Sequence, residues 1–595
     1  MKLGRALVVL VWLASLLLWF RPGIVRPDGA GYLAYLPSVR FDGDLLFFDE
    51  WQQFGMIRPD GLIQHKEVTA TGHLANHWTI GSALAWFPLF AVADVVRQDF
   101  PRNGVSLPYN VAVVFSSALA GLVTLLCVLG VARHRGDDGT NRTNGTYRTD
   151  GTHPPTDAQA PATDLSAVDH GSPISPIRPI GPIRPIGPIS PAAATTAALG
   201  AWLGTPLLFY ALVHATMSHA ISAMACALVF VAAVKLRADP TGKRWLLAGL
   251  AAGFAFAVRP QNAPFAFVPL MLVRPRSREL GLFALGGLAA ALPQFIVSGF
   301  LYGSPLGFVS GGGATPFAAF QRLWLWEPLL SWYHGLFTWT PFALLGILGL
   351  ALLWRIDRKL AVACVVVFVA EWLINATLER SFWGANAFGQ RRFDNCTIVF
   401  ALGTAALVQR WRIAGMVLAG AASLWTMALF VAVMNGLDLG AYWTPSELLS
   451  AIAASQLDLA FLGGIRPDAR MTVLLVLLVC AVAVAVIAFA LRALPLRFRA
   501  AVAIGYFAAV TLVLLVCGAR DAARVDAYAP LVARNRVYAE VPGGADVRFG
   551  LLADELTYLR KSGRHELAEE TERELLALRA RRAAALRSLG LPEDL

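Results

Sequence analysis

Thr472–Leu491 reads TVLLVLLVCAVAVAVIAFAL, twenty residues without one charge, closed by Arg492. As an α-helix such a run is about 30 Å long, the thickness of a bilayer's hydrocarbon core. Apolar runs of 15–23 residues recur along the 595-residue chain. Hydrophobic residues make up 56% and charged residues 15%, against about 25% charged in an average soluble domain. Mean hydropathy is +0.57. These values exclude a water-soluble multidomain protein, a disordered chain and a single-anchor receptor. The fold class they predict is an all-α polytopic membrane protein.

Further runs at 6–20, 109–131, 194–213, 217–236, 244–258, 262–273, 280–300, 339–354, 360–376, 395–409, 413–434 and 501–517 bring the expected spans to thirteen. Lys2 and Arg5 precede the first run, and no small-x-small cleavage site follows before Arg21–Asp28, so it reads as an uncleaved span with its N-terminus inside. Arg133/Arg135, Lys235/Arg237/Lys243/Arg244, Arg274/Arg276/Arg278, Arg355/Arg358/Lys359, Arg410/Arg412 and Arg492/Arg497/Arg499 then all fall on one side. That predicts N-in and C-out. The apolar segment Ile80–Val96 would invert this alternation as a span, and is expected to be an interfacial helix in the first outer loop.

The net charge of +11 reports topology; no basic soluble domain offers a nucleic-acid surface. Cys127, Cys226, Cys364, Cys396, Cys480 and Cys517 sit in or beside apolar runs without a CxxC pair and read as packing residues.

Four regions follow. Residues 1–132 hold the first span, an acidic outer loop with the interfacial helix, and the second span. Residues 133–192 form a Gly/Thr/Pro-rich cytoplasmic insertion, expected to be disordered; its proline period of three from 173 to 191 matches polyproline II. On that side Asn141 and Asn144 would escape glycosylation. Residues 193–518 carry the remaining spans and outer loops. In 519–595, Leu552, Leu556, Leu559, Leu567, Leu575 and Leu578 at mostly helical spacing predict a small helical extracytoplasmic tail.

The outer face gathers the unusual polar residues. The first loop offers Asp28, Asp42, Asp44, Asp49 and Glu50. A carboxylate just above a membrane can be a general base for an acceptor hydroxyl or half of a cation site. Asp42 and Asp44 have spacing compatible with a hard divalent cation, Mg²⁺, Mn²⁺ or Ca²⁺; an Asp-Gly turn gives the same pattern. Gln390, Arg391 and Arg392 lie in a late outer loop that begins at Glu379-Arg380, and paired Arg there suits phosphate. Arg259, in Arg259-Pro260-Gln261-Asn262, turns two short arms, and an arginine at that depth is a functional candidate. The loop 301–338 carries Ser310-Gly311-Gly312-Gly313 and an aromatic set including Tyr333, suited to an interface belt, a sugar or an isoprenoid chain. His77 and His219 read as hydrogen-bonding groups near the site; neither has a zinc context. Glu371 is a mid-span acid expected to pair with a neighbouring span.

The first span, the acidic loop with an interfacial helix, about thirteen spans and a basic late outer loop together resemble the GT-C fold of integral-membrane glycosyltransferases. The group is that of the polyprenyl-phosphate-sugar enzymes, including protein mannosyltransferases and aminoarabinose-transferase-like proteins. The resemblance covers about residues 1–520. It implies a hexosyltransferase-type enzyme with a polyprenyl-phosphate-linked sugar donor in the bilayer, and a lipid, glycan or protein acceptor. Transfer would be inverting, with an Asp general base and Arg on the departing phosphate. Asp28 matches the acid after the first span, and Phe48-Asp49-Glu50 is similar to the Asp-Glu pair of the mannosyltransferases. Asn76-His77-Trp78-Thr79-Ile80-Gly81 stands where relatives carry a double proline, which is missing. Arg391-Arg392-Phe393 matches a basic-aromatic element without its following proline. Rival classes are a transporter or flippase of lipid-linked sugars, and an O-antigen-ligase-type enzyme with a diphosphate donor. The Arg- and Ala-rich composition points to a GC-rich bacterial genome. The expected location is therefore the cytoplasmic membrane, with a periplasmic or extracellular active face.

Overall fold

The computed structural model describes residues 2–57, 68–97, 99–133, 188–307, 323–377, 381–524 and 547–588, together with 528–530, 533 and 590. Nearly all of the 133–192 insertion, the Ser310–Gly313 stretch and Glu379-Arg380 lie outside the described residues.

The chain is an all-helical polytopic membrane protein. The described residues form no strand, and their β contacts are isolated bridges such as Val68 to Leu74. Among the described residues, eight helices are long and apolar enough to cross a membrane. They are α1 (Lys2–Trp19), α5 (Leu107–Val131), α8 (His219–Ala238), α11 (Ser277–Tyr302), α13 (Arg358–Thr377), α15 (Arg412–Met434), α17 (Arg470–Ala493) and α18 (Leu496–Arg524). The other five expected runs fall on shorter or broken helices. Run 194–213 is split into α6 (Pro191–Leu203) and α7 (Leu207–Leu212), and 244–258 is α9 (Gly242–Val258). Run 262–273 is a 3₁₀ turn, Pro260–Ala266, followed by α10 (Phe267–Leu272). Runs 339–354 and 395–409 are α12 (Pro341–Ile356) and α14 (Thr397–Arg410).

α5 and α8 form the centre, with 78% and 72% of their apolar windows buried, whereas α17 and α18 bury only 22% and 28%. Leu475, Leu478, Val482 and Phe489 of α17 are exposed, an apolar surface that suits lipid and not water. Close pairs rest on glycine. Gly249 and Gly253 of α9 meet the backbone of α11 around Phe283 and Gly287, and Gly346 and Gly349 of α12 meet Phe400 and Gly403 of α14, with no room for a Cβ. This is the small-residue packing that lets helices associate where lipid competes with side chains.

The bundle has two chemically distinct ends. At one, Arg237 pairs with Asp357 at 2.8 Å, tying the α8–α9 turn to the α12–α13 turn. The start of α1 lies at the same end, with Gly4 beside Thr195 and Arg133. At the other end stand α2 (Asp28–Pro37), α3 (Phe48–Gln53) and the end of α18. The 81–96 segment is α4 (Gly81–Val96). It runs antiparallel along half of α5: the Trp86 indole donates to Ser117 Oγ at 3.0 Å, and the Tyr109 hydroxyl donates to Asp94 at 2.8 Å. It is therefore inclined along the bundle, where the sequence suggests a flat interfacial helix, because Trp86, Phe90 and Ala93 find fully buried seats.

The expected span–tail boundary at 518/519 falls inside α18, which continues to Arg524. The extension has a local cause: buried Asp521 accepts from Leu45 N–H at 3.1 Å and contacts His73 Nε2 at 3.2 Å. Beyond it, the tail helices α19 (Val547–Lys561) and α20 (His565–Ser588) pack Leu552, Leu556, Leu559, Leu575 and Leu578 against Trp324, Tyr333, Phe382 and Trp383.

Candidate active site

The site is built on α2. Asp28 opens the helix, where the amide dipoles favour a negative charge. Tyr32, one turn on, shares its face. Gly29 and Gly31 let α2 lie flush on Thr216 and on the Trp78 ring, where any Cβ would overlap. Val25 N–H donates to Thr216 Oγ1 at 3.0 Å, and the Tyr35 hydroxyl donates to Trp78 O at 2.7 Å.

Arg391 reaches this helix from the far side of the sequence. Its Nη1 lies 3.0 Å from Asp28 Oδ2, with the two side chains only 15% and 27% exposed. The same nitrogen contacts Met217 Sδ at 3.7 Å. Arg391 opens a 3₁₀ turn, Arg391–Cys396, that faces the Pro260–Ala266 turn. Asn395 Nδ2 donates to Asn262 Oδ1 at 2.9 Å, and Gln261 Nε2 donates to Arg392 O at 3.0 Å. Arg259 thereby joins the site, and its Nη1 lies 3.1 Å from His219 Nδ1. A guanidinium only donates, so Nδ1 accepts and the ring hydrogen sits on Nε2. Asp394 Oδ2 is 3.5 Å from the same nitrogen. Ser218 Oγ donates to the Tyr32 hydroxyl at 2.9 Å, and Phe388 N–H donates to the Tyr210 hydroxyl at 2.9 Å.

Burial sets the charge states. It holds the Asp394 carboxyl well above the ordinary range, against the pull of Arg259 and Arg391. It pushes the His214 imidazole down to about 4, with Arg391 adding to the effect. Arg391 faces Asp28, while Arg259 faces His219, Asp394 and Glu371. Two guanidiniums gathered in one cluster can receive an anion.

The remaining candidates lie elsewhere. Arg392 turns away and donates to Ser381 O at 2.6 Å, and Gln390 Nε2 donates to Phe382 O at 2.6 Å, so both shape the loop that presents Arg391. Tyr333 stacks on Trp383 with centroids 5.3 Å apart and donates to Gly440 O at 2.7 Å, under the tail helices. His77 packs against Trp78 at 6.2 Å. Glu371 is fully buried, faced by Arg259, Gln261 and Asn395.

Asp49 and Glu50 do not meet Arg391; they gather with Asp42, one oxygen from each lying within 4.8 Å of the others. Asp44 is not in that trio. Its Oδ2 pairs with Arg524 at 2.9 Å, and its Oδ1 accepts from Ser38 Oγ and Leu46 N–H, each at 3.3 Å. The Asp42/Asp44 pair expected from sequence is therefore split, because Gly43 turns left-handed at φ 67° between them. Sequence reasoning missed Tyr32 and Asp394; the helical spacing of Tyr32 from Asp28 is a signal for the first, and the near-helical spacing of His214 from His219 marks His214.

No protein-family model matches the chain, no curated protein matches its sequence, and no solved structure matches its fold.

Proposed function

We propose that the chain is a membrane glycosyltransferase of GT-C type, with thirteen spans, N-in and C-out, and its site at the outer face. The donor is a polyprenyl-phosphate sugar. The observation that carries the reading is the Asp28–Arg391 pair, which joins an acid behind the first span to a late-loop arginine across 363 residues. The two guanidiniums gathered there, Arg391 and Arg259, support a phosphate ligand.

In this reading a donor phosphate competes for Arg391 and releases Asp28. The carboxylate takes the proton of an acceptor hydroxyl, whose oxygen attacks the anomeric carbon from the face opposite the phosphate. The bond from that carbon to the phosphate oxygen breaks, and the electron pair leaves with the phosphate. Arg391 and Arg259 meet the charge that develops there, which is where preplaced cations lower a barrier.

The test is titration of polyprenyl phosphate into the full-length protein in nanodiscs. Arg391→Ala is expected to weaken binding about 10- to 100-fold, the scale of a lost charge-assisted hydrogen bond. Asp28→Asn should bind at least as well as wild type, since Arg391 is released. Wild-type affinity in Arg391→Ala would overturn the assignment. Lipid-linked sugar that crosses the bilayer with no glycosidic product would favour a flippase.

A further inference from the structure

The acid trio of the first loop is chemically separate from the Asp28–Arg391 pair. Asp42 ends a π-turn, Ser38–Asp42, and Asp49 and Glu50 sit in the first turn of α3. Phe47 before α3 is left-handed at φ 59°, and Phe48 stacks on Tyr528 with centroids 4.3 Å apart, so α3 is seated against a residue that follows α18 in the chain. In this setting the neighbouring acids all have partners: Asp44 has Arg524, and Asp521 has His73 and the Leu45 amide.

Glu50 is the exception. Its side chain is 2% exposed, and neither carboxylate oxygen has a hydrogen-bond partner among the described residues. Its polar company is the other two carboxylates, with one oxygen from each of the three lying within 4.8 Å. Three carboxyls this close stay ionised together only with a counter-charge among them. Arg524 stands close by, yet it is spent on Asp44 and on Asp42 O at 2.9 Å.

We propose that Asp42, Asp49 and Glu50 form a binding site for a hard divalent cation, with Ca²⁺ as its probe. Calcium takes oxygen ligands in adaptable geometry, which suits carboxyls presented from two separate turns, whereas magnesium demands a near-ideal octahedron. Glu50 supplies the buried ligand and Asp42 a half-buried one, while exposed Asp49 leaves the remaining positions to water. The ion fastens α3 to the turn that follows α2. Phe47 packs edge-on to Tyr35 of α2 at 5.1 Å, and Ser38 Oγ donates to Asp44 O at 2.7 Å, so the clamp also steadies the helix that carries Asp28.

The experiment uses full-length protein in nanodiscs, stripped with EDTA. Tb³⁺ stands in for Ca²⁺, with luminescence sensitised through neighbouring Trp51 and competed by Ca²⁺, and thermal unfolding is followed in parallel. Wild type is expected to bind saturably and to unfold at a higher temperature in Ca²⁺ than in EDTA. Glu50→Gln and Asp49→Asn should each weaken binding on the order of tenfold or more, as ligand charge is lost. Glu50→Gln should also lose the Ca²⁺-dependent shift while unfolding no earlier than wild type in EDTA, because a buried carboxylate has become a neutral amide. Asp44→Asn, outside the trio, should keep Ca²⁺ binding. No saturable binding by wild type up to about 10 mM Ca²⁺, beyond the weakest range of protein calcium sites, overturns the proposal. So does wild-type affinity in both Glu50→Gln and Asp49→Asn. The readouts are binding and unfolding, independent of any transfer activity.

Discussion

Asp28 and Arg391 were both visible in the sequence as residues out of keeping with their surroundings: an acid directly behind a span, and an arginine in an outer loop. Such local anomalies are legible because the alternation of basic loops predicts a side for each of them. Pairings that depend on a backbone turn are not. Asp42 and Asp44 look like a matched pair on paper, yet Gly43 sends them to different partners, and Asp42 finds Asp49 and Glu50 instead. Asp394 was hidden for a related reason, since its significance comes from His219, 3.5 Å away but far off in the chain. His214 gives a test at this scale. Its pKa is lowered from 6.5 to about 4 by burial first and Arg391 second, and its Nδ1 is without a partner among the described residues. A base lowered in the folded state contributes stability that is present above 6.5 and is lost as pH falls toward 4. His214→Phe, which keeps a ring against Phe209, should therefore flatten the fall in unfolding temperature across that interval. An unchanged slope would contradict the assignment.

Among the elements, hydrophobic runs located the helices, but their breaks were set by packing and caps. The 194–213 run reads as one span and is divided near Pro206, and the 518/519 boundary is carried outward because Asp521 has partners in the first loop. The α12–α14 pair is the clearest case where sequence is silent about partners: Gly346, Gly349 and Gly403 mark close approach without saying to which helix. A Cβ on Gly403 would collide with the backbone at Gly346, whereas Gly420 of α15 faces open space. Gly403→Ala should cost about 1–3 kcal/mol through overpacking, while Gly420→Ala should be neutral or slightly stabilising. Thermal unfolding of the two variants in one detergent checks this, and equal unfolding temperatures would refute the packing argument.

For the whole molecule, the proposed topology puts the α8–α9 turn and the tail on opposite sides of a membrane. The alternation of basic loops predicts this arrangement. Thr241→Cys and Ser588→Cys both introduce exposed positions, and the six native cysteines are buried. In sealed vesicles of one orientation, an impermeant maleimide should label one variant and spare the other. Labelling of both from the same side would invalidate the topology.

The proposed reaction makes Asp28 the base and seats the donor phosphate on Arg391. Turnover of a labelled polyprenyl-phosphate sugar in proteoliposomes, wild type against Asp28→Asn, with donor binding measured on the same preparations, decides it. Turnover in Asp28→Asn should fall by about 10²- to 10⁴-fold, the usual contribution of a general base, with donor binding retained. Wild-type turnover in Asp28→Asn would rule Asp28 out as the base.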